Sequence, residues 1–270
     1  MPTADQHPSS KFARLLLMGI SGTGKTGALL SLLQAGYKIG VVDMDSGLDW
    51  LVNKLRKDHP ELLPNLSFQT FRDKLKMTQS GPQYVGIPKA YTSAIQALEK
   101  WDDGTLPSEW GDKHILVLDS LTFFGDAAFN WKDALNPETA NKKVDKLTIY
   151  GAAQDAVADV LAILTSPEFQ TNVIVMTHVR WKKVVDEKGN ESIIGGGPSS
   201  IGEALTDKIG TYFNTVGLAE TVGSGPSVKR QIRFQSTGLI ALKSSAVNLP
   251  EVPLPISSAL ADYFKAAKGA

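Results

Sequence analysis

The residues best suited to chemistry lie in one short stretch, Gly19-Ile20-Ser21-Gly22-Thr23-Gly24-Lys25-Thr26, followed by Gly27. Their spacing is G-x-x-x-x-G-K-[ST], a phosphate-cradling P-loop. Phosphate oxygens need several backbone N–H donors converging on them, and glycine lets a backbone wrap without side-chain clashes. A helix starting here turns its positive end toward the anion. Gly19, Ser21, Gly22, Thr23, Gly24, Lys25, Thr26 and Gly27 are therefore the candidate ATP-binding residues. Lys25 would reach the outer phosphates, and the Thr26 hydroxyl would hold Mg²⁺. Such a match arises by chance on the order of once in a hundred chains of this length. An apolar segment precedes it and an amphipathic one follows, which is the context the chemistry needs.

A metal held by Thr26 calls for an acid at the end of another buried strand. "HILVLDS" supplies Asp119 there, where a carboxylate supports Mg²⁺ through water. Hydrolysis further needs a group that orients water. "VVDMDSG" offers Asp43 and Asp45, two apart and so on one face of an extended chain. Asp45 is the candidate. "VIVMTHVR" ends another strand with Thr177 and His178, where the cleft of an open α/β sheet lies. His178 could hydrogen-bond the γ-phosphate and report its loss to the loop that follows. Lys25, Asp45 and His178 form the expected catalytic set. His7, His59 and His114 have no such placement, and with no cysteine a zinc site is not expected.

The elements that would position these groups alternate in type. "ARLLLMG", "KIGVVDMD", "HILVLDS" and "TNVIVMTHV" read as buried strands. "TGALLSLLQAG", "SGLDWLVNKLRK", "PKAYTSAIQALEKW", "LTFFGDAAFNWKDAL" and "TIYGAAQDAVADVLAILTS" read as helices. "RWKKVVDEKGNESIIGGGPSSIG" suggests a hairpin turning at "EKGN", then a flexible loop through Gly195, Gly196 and Gly197. "LSFQTF", "YFNTVGLAETV", "KRQIRFQST" and "LIALKSS" read as further strands, and "PISSALADYFKAA" as a closing helix. The expected fold is α/β, a mostly parallel central sheet with helices on both faces and antiparallel strands toward the C-terminus. Residues 1–11 read as a disordered arm and 12–270 as one domain.

Composition sets outer limits. Lys+Arg and Asp+Glu are both 28, so no global basic field announces a nucleic-acid partner. Cysteine is absent, which excludes disulfides and thiol chemistry and fits a reducing compartment. The polar opening "MPTADQHPSSK" is unlike a signal peptide, and no run of about 18 apolar residues is evident. A cytoplasmic protein without a membrane partner is the expectation.

"GISGTGKT", "GVVDMDSG", "ILVLDSLT" and "NVIVMTHVRWKK", in this order, resemble the RecA/RadA-type recombinase core. They look closest to small phage-encoded RecA-like ATPases of single-strand annealing and recombination. The likeness spans residues 12–245. It implies a RecA-like P-loop fold, ATP hydrolysis with Mg²⁺, single-stranded DNA as partner, a homo-oligomer, and a single-stranded-DNA-binding protein as a further partner in a bacterial host's cytoplasm. By position, Asp45 stands where the family places a catalytic glutamate, and His178 where recombinases keep a glutamine. Residues 180–202 would correspond to DNA-binding loops. Lys243 matches one of two lysines offered to the neighbouring subunit's nucleotide; a serine replaces the other.

The residues of that loop fit the implied partner. Arg180, Trp181, Lys182 and Lys183 set an aromatic among cations, the mixture that neutralises phosphates and stacks bases. Lys229, Arg230 and Arg233 form a second basic cluster, read as a solvated strand face. Two other classes stay open: a nucleotide-gated switch acting on a protein partner, and a small-molecule or nucleotide kinase. A kinase would want an arginine-rich lid, and the candidate loop carries one arginine. No N-K-x-D motif supports guanine recognition.

Overall fold

The computed structural model describes residues 11–136, 145–187, 189–236 and 238–268. The proposed arm at 1–11 falls almost wholly outside them.

Four strands carry the core: β1 (Arg14–Met18), β2 (Lys38–Asp43), β6 (Gly111–Asp119) and β7 (Thr171–Val185). Their apolar runs are continuous because both sheet faces are covered. Leu15 and Leu17 of β1, Ile115 and Val117 of β6, and Ile174 and Met176 of β7 enter one core. The intervening Leu16 and Met18, Leu116 and Leu118, and Val173 and Val175 enter the other. The first core is closed by α1 (Lys25–Gln34), α2 (Asp49–Asp58) and α7 (Ala259–Ala267). The second is closed by α3 (Ala90–Glu99), α4 (Leu121–Ala134), α5 (Lys146–Thr165) and α6 (Glu203–Tyr212).

With β3 (Leu66–Thr70), β9 (Thr215–Val222), β10 (Lys229–Arg233) and β11 (Leu254–Pro255), the main sheet runs β11-β10-β9-β1-β7-β6-β2-β3. The neighbours β3, β2, β6, β7, β1 and β9 pair in parallel, whereas β10 pairs antiparallel with both β9 and β11. The expected α/β architecture is therefore present. β1 sits mid-sheet beside β7, so the loop after β1 and the ends of β6 and β7 meet at one edge, where an open α/β sheet binds ligands.

Several details differ from the sequence expectation. β7 extends past the sheet to Val185 and pairs antiparallel with β8 (Glu191–Ser199). The turn falls as expected, with Gly189 N donating to Asp186 O at 2.9 Å. Gly195, Gly196 and Gly197, expected in a flexible loop, lie inside β8 opposite Lys182, Trp181 and Arg180. A Cβ on Gly196 would stand 2.8 Å from the Trp181 ring; glycine here makes room for tryptophan. "LIALKSS" is not a strand: Ile240 bridges Gly196 and Lys243 bridges Val216, each alone. Helix α6 and a separate hairpin, β4 (Leu75–Thr78) with β5 (Gly81–Tyr84), were not anticipated. α5 is long and apolar enough to cross a membrane by length and composition alone. Its Ile149, Ala153, Val157, Val160, Leu161 and Leu164 are buried in the second core.

Candidate functional site: a P-loop cavity at the strand ends

A cavity of about 650 Å³ opens where β1, β2 and β6 end, beside His178 of β7. Ser21, Gly22, Gly24, Lys25, Thr26 and Gly27 line it together with Asp45, Asp119 and His178. Gly22 and Gly24 adopt φ of 81° and 92°, a region glycine enters without cost. Gly19 and Thr23 do not line the cavity. The Gly19 amide is bonded to Thr177 O at 3.1 Å, and the Thr23 hydroxyl turns back to Ile20 O at 2.9 Å. These two residues shape the loop. Gly27 leaves space for Trp50, whose ring would lie 2.9 Å from a Cβ there.

The Lys25 ammonium donates to Gly19 O at 2.7 Å and Ile20 O at 3.2 Å. Burial lowers its pKa, with Asp119 and then Asp45 opposing. The Thr26 hydroxyl lies 2.7 Å from Asp119 Oδ2. Asp119 is buried at the end of β6. That burial, and secondly the Asp45 charge, pushes its carboxyl up to about 7. A carboxyl so poorly stabilised invites a cation. Among the described residues no three acidic or histidine side chains converge as a metal cage. Mg²⁺ would therefore draw on Thr26, Asp119 and the nucleotide's own oxygens, which suits its reluctance to dehydrate.

Asp43 and Asp45 do not share a face. β2 stops at Asp43 and the chain turns through Ser46, at φ 61°. Asp43 Oδ1 accepts from the amides of Ser46 (2.8 Å), Asp45 (3.3 Å) and Gly47 (3.4 Å), and its Oδ2 from the Thr70 hydroxyl (2.9 Å). Its carboxylate is consumed by the turn. Asp45 instead lines the cavity, and its Oδ1 is buried with no hydrogen-bond partner. Burial first, then Asp43, raises the Asp45 pKa. Arg72 holds the turn from outside, donating to Asp45 O and, at 3.1 Å, to Ser46 Oγ. An unpaired buried carboxylate oxygen beside a phosphate-binding loop can accept a hydrogen bond from the O–H of a water molecule.

His178 lines the same cavity. Burial, then Lys25, lowers its pKa, so the imidazole is neutral near pH 7. Its amide accepts no freedom either: it donates to Thr122 Oγ1 at 3.1 Å. Thr122 and Thr177 hydroxyls both donate to Ser199 O, at 2.8 and 2.6 Å. The cavity is thus hydrogen-bonded to the end of β8.

The remaining candidates lie elsewhere. Arg180 and Lys182 point to α6, pairing with Glu203 (2.7 Å) and Asp207 (2.8 Å). Lys183 pairs with Glu191 at 2.7 Å. Trp181 is 37% exposed and lies over Gly196. Lys243 is exposed and does not line the cavity. Sequence reasoning did not place Trp50, Leu30, Gln34, Lys54, His59, Arg230 and Ile256 at the site, and they line the cavity too. For Leu30 and Gln34 a signal existed: with Gly27 they share one face of α1 by i, i+3, i+7 spacing.

The family model for the AAA domain (AAA_24) matches residues 11–244. No curated protein matches. Among solved structures, the chain is similar to the flagellar accessory protein FlaH of Methanocaldococcus jannaschii. That match has 13% identity, 85% of this chain and 80% of that one, and a TM-score of 0.35. It is also similar to the KaiC-like protein PH0186 of Pyrococcus horikoshii OT3, with 12% identity, 84% and 79% coverage, and a TM-score of 0.41. With its P-loop, the buried acid ending β6 and a largely parallel sheet, the chain belongs to the AAA domain family and is a P-loop ATPase.

Proposed function

We propose that the protein hydrolyses ATP to switch the β7–β8 hairpin, and that the hairpin's ligand is single-stranded DNA, as in phage-type annealing or recombination. The observation that carries this reading is the continuity of β7. One strand bears His178 at the cavity, Thr177 buried beside it, and Arg180 to Lys183 beyond.

Each residue has a role in this reading. The backbone amides of Ser21, Gly22, Gly24, Lys25 and Thr26 cradle phosphate, and Lys25 leaves its loop carbonyls for the outer phosphates. Thr26 and Asp119 would hold Mg²⁺, which would supply charge neutralisation at the phosphates. Asp45 Oδ1 accepts from the attacking water and orients it. His178, neutral, donates from one ring nitrogen to the γ-phosphate and loses that contact on hydrolysis. The Thr122–Thr177–Ser199 bonds pass the change to the end of β8. Lys243 serves a neighbouring subunit's nucleotide in a homo-oligomer, and a single-stranded-DNA-binding protein recruits the assembly in the host cytoplasm.

Among the described residues, the hairpin's cations Arg180, Lys182 and Lys183 are each paired with an acid. Those pairs are exposed and so worth little, and a polyphosphate backbone can take the cations over. A second reading rests on the hairpin's far end, where Val184, Val185, Ile193 and Ile194 are exposed. An apolar tip suits a protein partner.

Anisotropy of a labelled oligonucleotide separates the two. DNA binding that is stronger with a slowly hydrolysed ATP analogue than with ADP, and that weakens as salt rises, supports the first reading. No binding in any nucleotide state removes it and leaves the protein-partner switch.

A further inference from the structure

The basic residues of β10 do not form one solvated face. Strand alternation separates them. Gln231 and Arg233 turn one way and both bond Glu220 of β9, at 2.7 and 2.8 Å. Arg230 turns the other way, with Ile232, which is fully buried in the core shared with α1. Its Nε donates to Gly22 O of the phosphate loop at 3.1 Å. Its Cδ lies 3.2 Å from where a Cβ on Gly24 would stand, so a side chain at Gly24 would displace it.

The backbone under Arg230 is held on both sides. It pairs with Thr221 of β9, and Ile256 N donates to its carbonyl at 3.0 Å. Among the described residues Arg230 has no ion-pair partner. A guanidinium carries five N–H donors, and the cavity it lines also holds Lys25. Both cations spend donors on neutral carbonyls of the loop itself. Phosphate oxygens are stronger acceptors, and a guanidinium can grip them with two donors at once.

We propose that Arg230 binds the nucleotide's polyphosphate from within the same chain, exchanging Gly22 O for phosphate oxygen as the nucleotide enters. β10 thereby supplies in cis a cation that the loop motif does not contain. The proposal rests on this cavity being the nucleotide site, and the test separates the two.

The test is displacement of a fluorescent ATP analogue by ADP and by inorganic tripolyphosphate, in wild type, Arg230→Gln, Arg230→Lys and Lys25→Ala. The expected result is about tenfold weaker displacement by both ligands in Arg230→Gln, since one charge-assisted bond is lost. Arg230→Lys recovers part of it, and the ligand-free melting temperature stays near wild type. Weaker ADP but unchanged tripolyphosphate would overturn the proposal and put Arg230 on the base or sugar. Unchanged displacement in Arg230→Gln with loss in Lys25→Ala would overturn it while keeping the cavity. No loss in Lys25→Ala, or no displacement by tripolyphosphate in wild type, would overturn it along with the cavity assignment.

Discussion

The Thr26 hydroxyl stands 2.7 Å from Oδ2 of Asp119, joining the first turn of α1 to the end of β6. Ninety-three positions separate the two in sequence. The parallel pairing of β1 with β7 and of β7 with β6 brings them together. These two groups are the ones that would hold Mg²⁺ beside the nucleotide.

Asp119→Asn keeps the hydroxyl contact but removes the charge. Nucleotide affinity without Mg²⁺ should change less than threefold, roughly. Mg²⁺-dependent hydrolysis should fall by at least about a hundredfold, the size of effect expected when one preorganised charge is lost. Titration calorimetry with and without Mg²⁺, beside a turnover assay, checks both halves.

Asp43 and Asp45 should separate cleanly. Asp43→Ala removes the acceptor of the turn amides and of Thr70. It should cost about 1–3 kcal/mol of stability. Asp45→Asn should leave stability near wild type, because the amide keeps the side chain's shape and removes a charge that burial disfavours, yet reduce kcat by about a hundredfold. Denaturant melts and steady-state kinetics on the two variants give the comparison. Equal kinetic losses with equal melts would contradict the assignment.

His178 gives a pH signature. Its folded pKa lies below the ordinary value of 6.5. The unfolded chain therefore binds more protons than the folded one as pH falls through 6.5, and folding loses stability there. His178→Asn should lessen this acid-side loss and leave stability above pH 7 nearly unchanged. Melts of both proteins from pH 8 to 5 test the sign.

Glu203 and Asp207 pair with Arg180 and Lys182 from one face of α6. Removing both charges, as Glu203→Gln with Asp207→Asn, should free the two cations for phosphate. DNA affinity should rise by about three- to tenfold, with a steeper salt dependence. Anisotropy over a salt series reads both quantities.

Much of this site was legible from residues alone because its parts are local. The phosphate loop is eight consecutive residues. The strands β1, β2, β6 and β7 are apolar runs too short and too branched to be mistaken. What was hidden depends on where a chain turns or which face a strand presents. Asp43 and Asp45 look equivalent until β2 ends between them and one carboxylate is used by the turn. Gly195–Gly197 read as a flexible loop because glycine's reason for being there, the Trp181 ring and the close packing of α6, lies across the hairpin. Arg230 read as surface because its partner is a carbonyl 208 positions away. The acids that neutralise Arg180 and Lys182 sit on a helix that the sequence reading passed over.

The central claim is that ATP turnover and DNA engagement are coupled through β7. The most direct measurement is the ATP hydrolysis rate with and without single-stranded DNA, with Lys25→Ala as the blank. The account predicts turnover that rises severalfold, by roughly the 1–3 kcal/mol typical of coupled sites at most, on adding DNA and that vanishes in the blank. Turnover that depends on Lys25 but is indifferent to DNA would contradict it.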